Sequence, residues 1–172
     1  MREVLFRGFT PDENGKDKAF VNGEWIKGQW VQGSYWKLNK TTYCFKEDYE
    51  RDPGNTEHYI VFDQMTDWGL PNRHLKADVI PETIGQYTGL PDKNGKKTFE
   101  GDIVDVLYDA NYAGVAAERI GKFEVVFDRG CFMKRKIDGF GLFHFIASDV
   151  HTVIGNIYDN PELLKGEEEE NA

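Results

Sequence analysis

The sequence predicts an all-β protein with minor helix, and three observations lead to this fold class. Short apolar runs alternate with polar residues, as they do in half-buried strands. Turn-forming residues separate these runs, and the chain contains 18 glycines. Aromatic residues make up 14 % of the chain, which favours strands over helices. No long amphipathic helix pattern is present, so we expect about eight to ten short strands.

The first elements are a strand at residues 3–7 and a polar loop at residues 10–18. A five-residue repeat follows, in which each unit runs glycine, polar, aromatic, bulky and polar, with Trp25, Trp30 and Tyr35 as its aromatic residues. Because a strand has a period of two, Trp25 and Trp30 would lie on opposite sides of one straight strand. We favour a bend at a glycine. The alternative is an aromatic-lined ligand groove formed by Trp25, Trp30 and Tyr35.

The next segment combines strands with charged or irregular stretches. Residues 41–45 and 58–63 are strand-like, and residues 66–75 look irregular because they contain Gly69 and Pro71. Residues 46–57 are rich in charge and contain Pro-Gly, which predicts an exposed loop.

The central stretch predicts a β-hairpin. Two extended runs flank Asp92-Lys-Asn-Gly95, and Asn-Gly is a strong short-range hairpin signal. We expect a type I′ turn with Asn94 and Gly95 at its centre, where both residues need a positive φ.

The C-terminal elements read as further hairpins. A strand is expected at residues 101–108, and residues 119–128 and 131–136 form a hairpin across Arg129-Gly130. Residues 142–147 and 151–158 are expected to pair with each other. A short helix is expected to begin at Pro161, because proline is favoured at the first position of a helix. The run Gly-Asp-Ile-Val from Gly101 resembles the first strand of small SH3-like barrels.

Four blocks of sequence resemble one protein family. The blocks are Met1-Arg-Glu-Val-Leu-Phe-Arg-Gly8, Trp30-Val-Gln-Gly-Ser-Tyr35, the central stretch 82–104, and Val153-Ile-Gly-Asn-Ile-Tyr-Asp-Asn-Pro-Glu-Leu-Leu164. In this order they resemble the YopX family of phage and prophage proteins, a family without an established biochemical role. The resemblance implies a phage-related origin and says little about chemistry, because function belongs to sites rather than folds.

The chain length suits one domain or two small lobes. We expect an N-terminal β lobe at residues 1–79, packed with a barrel-like, SH3-like lobe at residues 80–165. Residues 166–172 then form a disordered acidic tail, because Glu167 to Glu170 follow one another.

Charge and hydropathy restrict the classes of partner. The net charge is −9, and the body stays acidic without the tail, which disfavours binding to a phosphate backbone. No apolar run is long enough for a membrane helix. The apolar run between the charged residues of the N-terminus is too short for a signal peptide. We therefore expect a protein of the bacterial host cytoplasm that has no contact with membranes. Cys44 and Cys131 are expected to be buried thiols.

Few residues carry the pattern of a reactive site. Asp102 lies in a Gly-Asp context that favours turn chemistry over a carboxylate pair with Glu100. A metal site built from His144, His151 and Cys131 is a minor alternative, and neither serine lies in a nucleophile motif. We assign no catalytic residue, no cofactor and no metal ligand.

One basic stretch follows an aromatic residue on a predicted strand. Phe132 precedes Lys134, Arg135 and Lys136, a combination that holds single-stranded nucleic acid in some barrel folds. Alternation places Lys134 and Lys136 on one face and Arg135 on the other. The favoured interpretation is a charged edge strand, which resists aggregation.

The leading hypothesis is a non-enzymatic accessory protein that contacts an unknown protein of the phage or the host. The alternative is a weak nucleic-acid-binding module that uses Phe132 with the three basic residues after it. A metal-dependent enzyme is the third hypothesis. Homo-oligomerisation is left open.

Overall fold

A computed structural model describes residues 4–12, 20–21, 24–39, 43–51, 56–65, 72–108, 118–145 and 149–165. The chain divides into two compact units, Val4–Gly85 and the residues from Gln86 onward, whereas the sequence placed the division at residues 79 and 80. The predicted acidic tail lies outside the described residues. In the described part of the chain, no helix is long and apolar enough to cross a membrane.

The N-terminal unit is built on an antiparallel sheet in the order β6-β5-β4-β1. Its core consists of Ile26, Val31, Ile60, Ala77 and Val79. The elements are β1 (Phe6–Phe9), β2 (Phe20–Val21), β3 (Glu24–Trp25), β4 (Trp30–Asn39), α1 (Lys46–Arg51), β5 (Thr56–Gln64), β6 (Arg73–Asp78) and a 3-10 helix at Pro81–Thr83.

The glycine bend predicted within the aromatic repeat is confirmed. Trp25 ends β3 and Trp30 begins β4, and Gly28 between them has a φ of +59°. The backbone N–H of Gly28 donates to the carbonyl oxygen of Thr10 at 3.1 Å, so the bend is held against the segment that follows β1.

Helix α1 corrects the loop predicted at residues 46–57. Lys46–Arg51 forms one exposed helix, and residues 56–57 already belong to β5. The helix has Glu47 and Asp48 in its first turn and Arg51 in its last, which matches the helix dipole. Lys46 and Glu50 add an i,i+4 ion pair at 3.1 Å. The charge that predicted a loop is therefore the charge pattern of a short helix.

The C-terminal unit contains a second antiparallel sheet in the order β12-β11-β10-β9-β13. Its core consists of Val104, Val106, Phe123, Val125 and Val153. The elements are β7 (Gly85–Pro91), β8 (Lys97–Phe99), β9 (Asp102–Tyr108), β10 (Glu118–Asp128), β11 (Cys131–Lys136), β12 (Leu142–His144), β13 (Asp149–Asn156) and a 3-10 helix at Pro161–Leu164.

The all-β class with minor helix is confirmed, but neither sheet is a closed barrel. The expected pairing of residues 142–147 with residues 151–158 is also wrong. Strand β12 pairs with β11, and β13 pairs with β9, so these two strands lie at opposite edges of the sheet. Strand β9 gives β13 a longer partner than the three-residue β12 would in a local hairpin.

The type I′ turn predicted at Asn94-Gly95 is wrong. Asn94 does not have a positive φ, whereas Gly95 has a φ of +81°. The N–H of Gly95 donates to the carbonyl oxygen of Asp92 at 2.9 Å, and the N–H of Asp92 donates to the carbonyl oxygen of Lys96 at 2.7 Å. This pattern is typical of a three-residue hairpin loop that closes on a left-handed glycine. The turn with two positive φ values is Arg129-Gly130, at +50° and +83°, inside the hairpin that was predicted there.

The side chain of Asp92 explains why the central loop takes this form. Its Oδ1 accepts from the backbone N–H of Asn94 at 2.8 Å and of Lys96 at 2.9 Å. Its Oδ2 accepts from the N–H of Val153 at 3.1 Å. The buried carboxylate therefore closes its own loop and also holds that loop to β13.

The environment of Asp92 lowers the pKa of its carboxyl group. Burial by itself raises this pKa, but the backbone N–H groups of Val153, Lys96 and Asn94 stabilise the charged form and outweigh burial. A positive charge on nearby His151 acts in the same direction.

Asp102 and Asn156 organise turns in the same way. The Oδ2 of Asp102 accepts from the N–H of Phe99 at 2.7 Å, which confirms its predicted turn role. The Oδ1 of Asn156 accepts from the N–H groups of Tyr158 and Asp159, each at 2.9 Å. Two of the blocks that resemble the family thus contain buried side chains that shape the backbone.

We predict that Gly95→Val lowers the free energy of unfolding by about 1–2 kcal/mol, because a β-branched residue is strained at positive φ. A Cβ at Gly95 would meet no atom within 4 Å, so the loss reports backbone strain rather than a clash. Gly95→Asn should lose less, since asparagine tolerates this conformation, and Lys93→Ala should change little. Urea unfolding measures all three, and equal stability of the valine and alanine variants would contradict the turn geometry.

We predict that Asp92→Ala lowers the free energy of unfolding by about 2–3 kcal/mol at neutral pH, because it leaves the buried N–H of Val153 and two half-buried N–H groups without their acceptor. Since the pKa of Asp92 is lowered on folding, its contribution is complete above the unfolded value of about 3.9 and is lost as the pH falls through the folded value. The difference between the natural protein and the variant should therefore shrink below about pH 4. Exposed Asp138→Ala is the control, and a difference that is constant with pH would refute the charged role.

Candidate functional site

An open cleft of about 630 Å³ lies in the C-terminal unit, between β7 and the strands β10 to β12. Its volume falls in the range of ligand pockets. Phenylalanine and leucine side chains dominate the apolar part, and none of its lining residues is charged. The lining consists of Gln86, Thr88, Gly89, Leu90, Phe127, Gly130, Cys131, Phe132, His144 and Phe145.

The aromatic wall of the cleft follows from the tight hairpin between β10 and β11. Arg129 and Gly130 form its two-residue turn, so Phe127 and Phe132 are cross-strand partners one pair away from that turn. Their rings meet edge to face with centroids 5.1 Å apart. Phe127 nevertheless keeps 52 % of its surface exposed, so this ring contact does not complete its burial.

The opposite wall of the cleft is fixed by a local hydrogen-bond pair on β7. The hydroxyl of Thr88 accepts from the N–H of Leu90 at 3.1 Å and donates to the carbonyl oxygen of Leu90 at 3.3 Å. Leu90 itself is exposed at the cleft, so this side offers an apolar surface on a constrained backbone.

Cys131 and His144 are neighbouring polar side chains of the lining. The thiol Sγ of Cys131 lies 3.9 Å from Nδ1 of His144 and 3.5 Å from the carbonyl oxygen of Asp128. His144 is exposed. The expectation of buried thiols is wrong, because Cys44 is exposed and Cys131 is only half-buried.

His151 does not join Cys131 and His144. It is buried, its Nε2 lies 2.9 Å from the hydroxyl of Thr98, and its ring packs against Phe145 at 5.4 Å. Within the described ranges, no three His, Cys, Asp or Glu side chains are grouped as metal ligands. The structure therefore does not bring the three residues of the minor metal hypothesis together.

Lys134 points into the core side of the sheet. It is the cross-strand partner of core residue Val125, and only 3 % of it is exposed. Its ammonium lies 5.6 Å from the ring centroid of Phe123 and 5.4 Å from that of Phe145, within cation–π range. The predicted alternation holds, but it turns Lys134 away from solvent.

Arg135 and Lys136 also differ from a free basic patch. Arg135 points to the other face, where its NH1 lies 3.1 Å from Oε2 of Glu124. Lys136 is half-buried opposite Phe123. Strand β11 is not the edge strand that was favoured, because β12 covers its outer side.

The aromatic repeat does not assemble one groove from its described side chains. Trp30 and Tyr35 are five residues apart on β4 and so lie on opposite faces. The backbone of Trp25 is described in β3, but its side chain lies outside the described part. Trp30 packs edge to face on Phe9 at 5.4 Å, and the guanidinium of Arg7 lies 4.8 Å from its ring.

Tyr35 has a packing role in the N-terminal unit. Its ring lies 5.5 Å from that of Phe6 beside the core, and its hydroxyl lies 2.7 Å from Nδ1 of His58. Burial raises the pKa of the Tyr35 hydroxyl.

Sequence reasoning named Phe132 as a binding residue, and Cys131 and His144 only in the metal hypothesis, and it missed the other residues of the cleft. One signal was present, since a hairpin across Arg129-Gly130 makes Phe127 the direct partner of Phe132. The contributions of Gln86, Leu90 and Phe145 depend on how β7 and the residue after β12 approach this hairpin, which strand patterns do not encode.

One of the comparisons with known proteins identifies a family. A family model described as "YopX protein" matches residues 22–165, a range that contains three of the four blocks that carried the resemblance. No curated protein matches the chain. A solved structure titled "Crystal structure of protein EF1440 from Enterococcus faecalis" is similar, with 23 % identity, 96 % of this chain and 100 % of that chain covered, and a TM-score of 0.44.

We predict that Lys134→Glu destabilises the protein by about 3 kcal/mol or more, because it places an anion against the faces of two aromatic rings. Lys134→Met should lose much less, since methionine fills a similar volume and packs well against rings. Arg135→Glu is the control for adding negative charge to β11, and it should lose clearly less than Lys134→Glu even though it also breaks the exposed contact with Glu124. Thermal unfolding followed by circular dichroism compares the three, and similar loss in Lys134→Glu and Arg135→Glu would contradict the burial of Lys134.

Proposed function

From the premise that the chain belongs to the YopX family, we propose that it is a non-enzymatic accessory protein, encoded by a phage or prophage, that binds a protein partner. The site is the cleft between β7 and the β10–β11 hairpin. The host cytoplasm is its proposed location. The family resemblance supports the phage origin, and the geometry of the cleft supports the binding role.

The observation that carries this proposal is the exposure of Phe127 at the cleft. Phe127 and Leu90 on opposite walls are both exposed, although the protein is strongly charged overall. Clustered exposed apolar side chains on a soluble surface mark sites of association, whereas scattered ones do not. Aromatic residues are also enriched at the centres of protein interfaces.

The chemistry of the lining favours an apolar anchor from the partner. No Asp, Glu, Lys or Arg lines the cleft, so it offers no permanently charged side chain to a charged group. The half-buried ring of Phe132 and the exposed ring of Phe127 instead offer surface to an aliphatic or aromatic side chain. Burying such a side chain releases water from both surfaces, which is the dominant favourable term in association.

The second candidate is weak binding of single-stranded nucleic acid at the same hairpin. Its support is the half-buried ring of Phe132, since bases stack on aromatic side chains. Lys134 contributes little to such binding, because it is buried against Phe123 and Phe145. The basic residues that remain are Arg135, on the other face, and Lys136. Binding of nucleic acid by this acidic protein should therefore be weak and salt-dependent.

We predict that Phe127→Ser weakens partner binding about tenfold or more, as loss of a central aromatic anchor does. The measurement places a photo-crosslinking residue at position 90 and compares crosslinked species in host cells that produce the phage. Phe140→Ser is the matched control, because Phe140 is fully exposed in the same unit but does not line the cleft.

Equal loss of crosslinks in both variants would indicate general apolar adhesion and contradict the cleft. Crosslinks that disappear with nuclease treatment, and weaken in a Phe132→Ala, Lys136→Ala variant, would favour the nucleic-acid candidate instead. Crosslinks that persist in full with Phe127→Ser would also count against the proposed site.

A further inference from the structure

The two cysteines of the chain differ in their surroundings. Cys44 is exposed, while Cys131 is half-buried directly after the β10–β11 turn. Exposure alone would make Cys44 the more reactive thiol. Cys131, however, shares the cleft lining with an imidazole that lies in contact with its sulfur.

We propose that Cys131 is a thiol modification site that reacts with uncharged low-molecular-weight disulfides, with His144 as the proton acceptor. The inference does not depend on partner binding at the cleft.

The contact geometry supplies the proton path. The thiol has two acceptors nearby, the carbonyl oxygen of Asp128 at 3.5 Å and Nδ1 of His144 at 3.9 Å. Only the imidazole can take up the proton, and it does so in the tautomer that carries hydrogen on Nε2. The thiolate is the reactive form of cysteine, and an adjacent imidazolium stabilises it.

The reaction is a thiol–disulfide exchange and balances without another reactant. The proton of Cys131 moves to Nδ1 of His144, and the sulfur attacks one sulfur of the disulfide. The disulfide bond of the reagent breaks as the Cys131–sulfur bond forms. The released thiolate recovers the proton from His144, so Cys131 is oxidised to a mixed disulfide and one half of the reagent is reduced to a thiol.

The surroundings favour uncharged reagents. The lining of the cleft holds no charged residue and includes the rings of Phe127 and Phe132. By strand alternation those rings lie on the other face of the hairpin from Cys131, so they offer an apolar edge beside the thiol rather than a lid over it. The net charge of −9 further disfavours an anionic disulfide.

The test compares each thiol alone, in Cys44→Ser and in Cys131→Ser protein. The probe is dithiodipyridine, an uncharged aromatic disulfide whose released thione absorbs light. We expect Cys131 to react about tenfold faster than Cys44 despite its lower exposure. The dianionic dithiobis(nitrobenzoate) should show a smaller advantage for Cys131.

His144→Gln tests the proton acceptor, because glutamine keeps a polar side chain but cannot take up the proton. We expect the rate of Cys131 to fall to that of Cys44 or below, with the rate of Cys44 unchanged. His74→Gln, an exposed histidine in the other unit, is the matched control. Cys131 reacting no faster than Cys44, or an undiminished rate in His144→Gln, overturns the proposal, and the first comparison stands even if the histidine variant folds poorly.

Discussion

The C-terminal unit depends on one buried carboxylate, that of Asp92. A carboxylate enclosed by protein is unfavourable unless hydrogen bonds replace its lost hydration. Three backbone N–H groups do so here, from Asn94 and Lys96 within its own loop and from Val153 on β13. The same atoms therefore satisfy the charge and join two segments of chain that are far apart in sequence. The backbone N–H of Lys93 also donates to the carbonyl oxygen of His151 at 3.0 Å. Two consecutive loop residues, Asp92 and Lys93, therefore hold the loop to β13.

This connection determines where the cleft can form. Strand β7 leads directly into Asp92, so holding that residue to β13 fixes the path of the strand that carries Thr88 and Leu90. The facing wall is fixed independently by the tight turn at Arg129-Gly130 and its cross-strand ring pair. Two constrained backbones then face one another, with the buried ammonium of Lys134 and its aromatic neighbours filling the sheet surface beside them. An open site between rigid elements keeps its shape before a partner arrives, which reduces the entropy lost on binding.

Sequence patterns predicted the features that depend on residues close together in the chain. Glycines beside apolar runs predicted the hairpin across Arg129-Gly130, the strand at residues 101–108 and a bend within the aromatic repeat, and the structure has all three, with the strand beginning at Asp102 and the bend at Gly28. The turn at Asn94-Gly95 was predicted with the wrong geometry, because the side chain of Asp92 competes with the intrinsic preference of Asn-Gly for a two-residue turn. The placement of β12 against β11 and the burial of Lys134 depend on long-range pairing. Alternation along a strand separates its two faces but does not indicate which face the rest of the protein covers.

The blocks that resemble the family contain residues that shape the fold and some of the residues that line the cleft. Asp92, Asp102 and Asn156 lie in blocks that resemble the family, and each one shapes a turn through its side chain. Phe127, Cys131 and Phe132 lie outside those blocks and line one side of the cleft, whereas Thr88 and Leu90 on its other side lie within the central block. The blocks that resemble the family therefore include residues that specify the backbone. Under the proposed function, partner choice depends on the hairpin, because different side chains at positions 127 and 132 would present a different surface from the same scaffold.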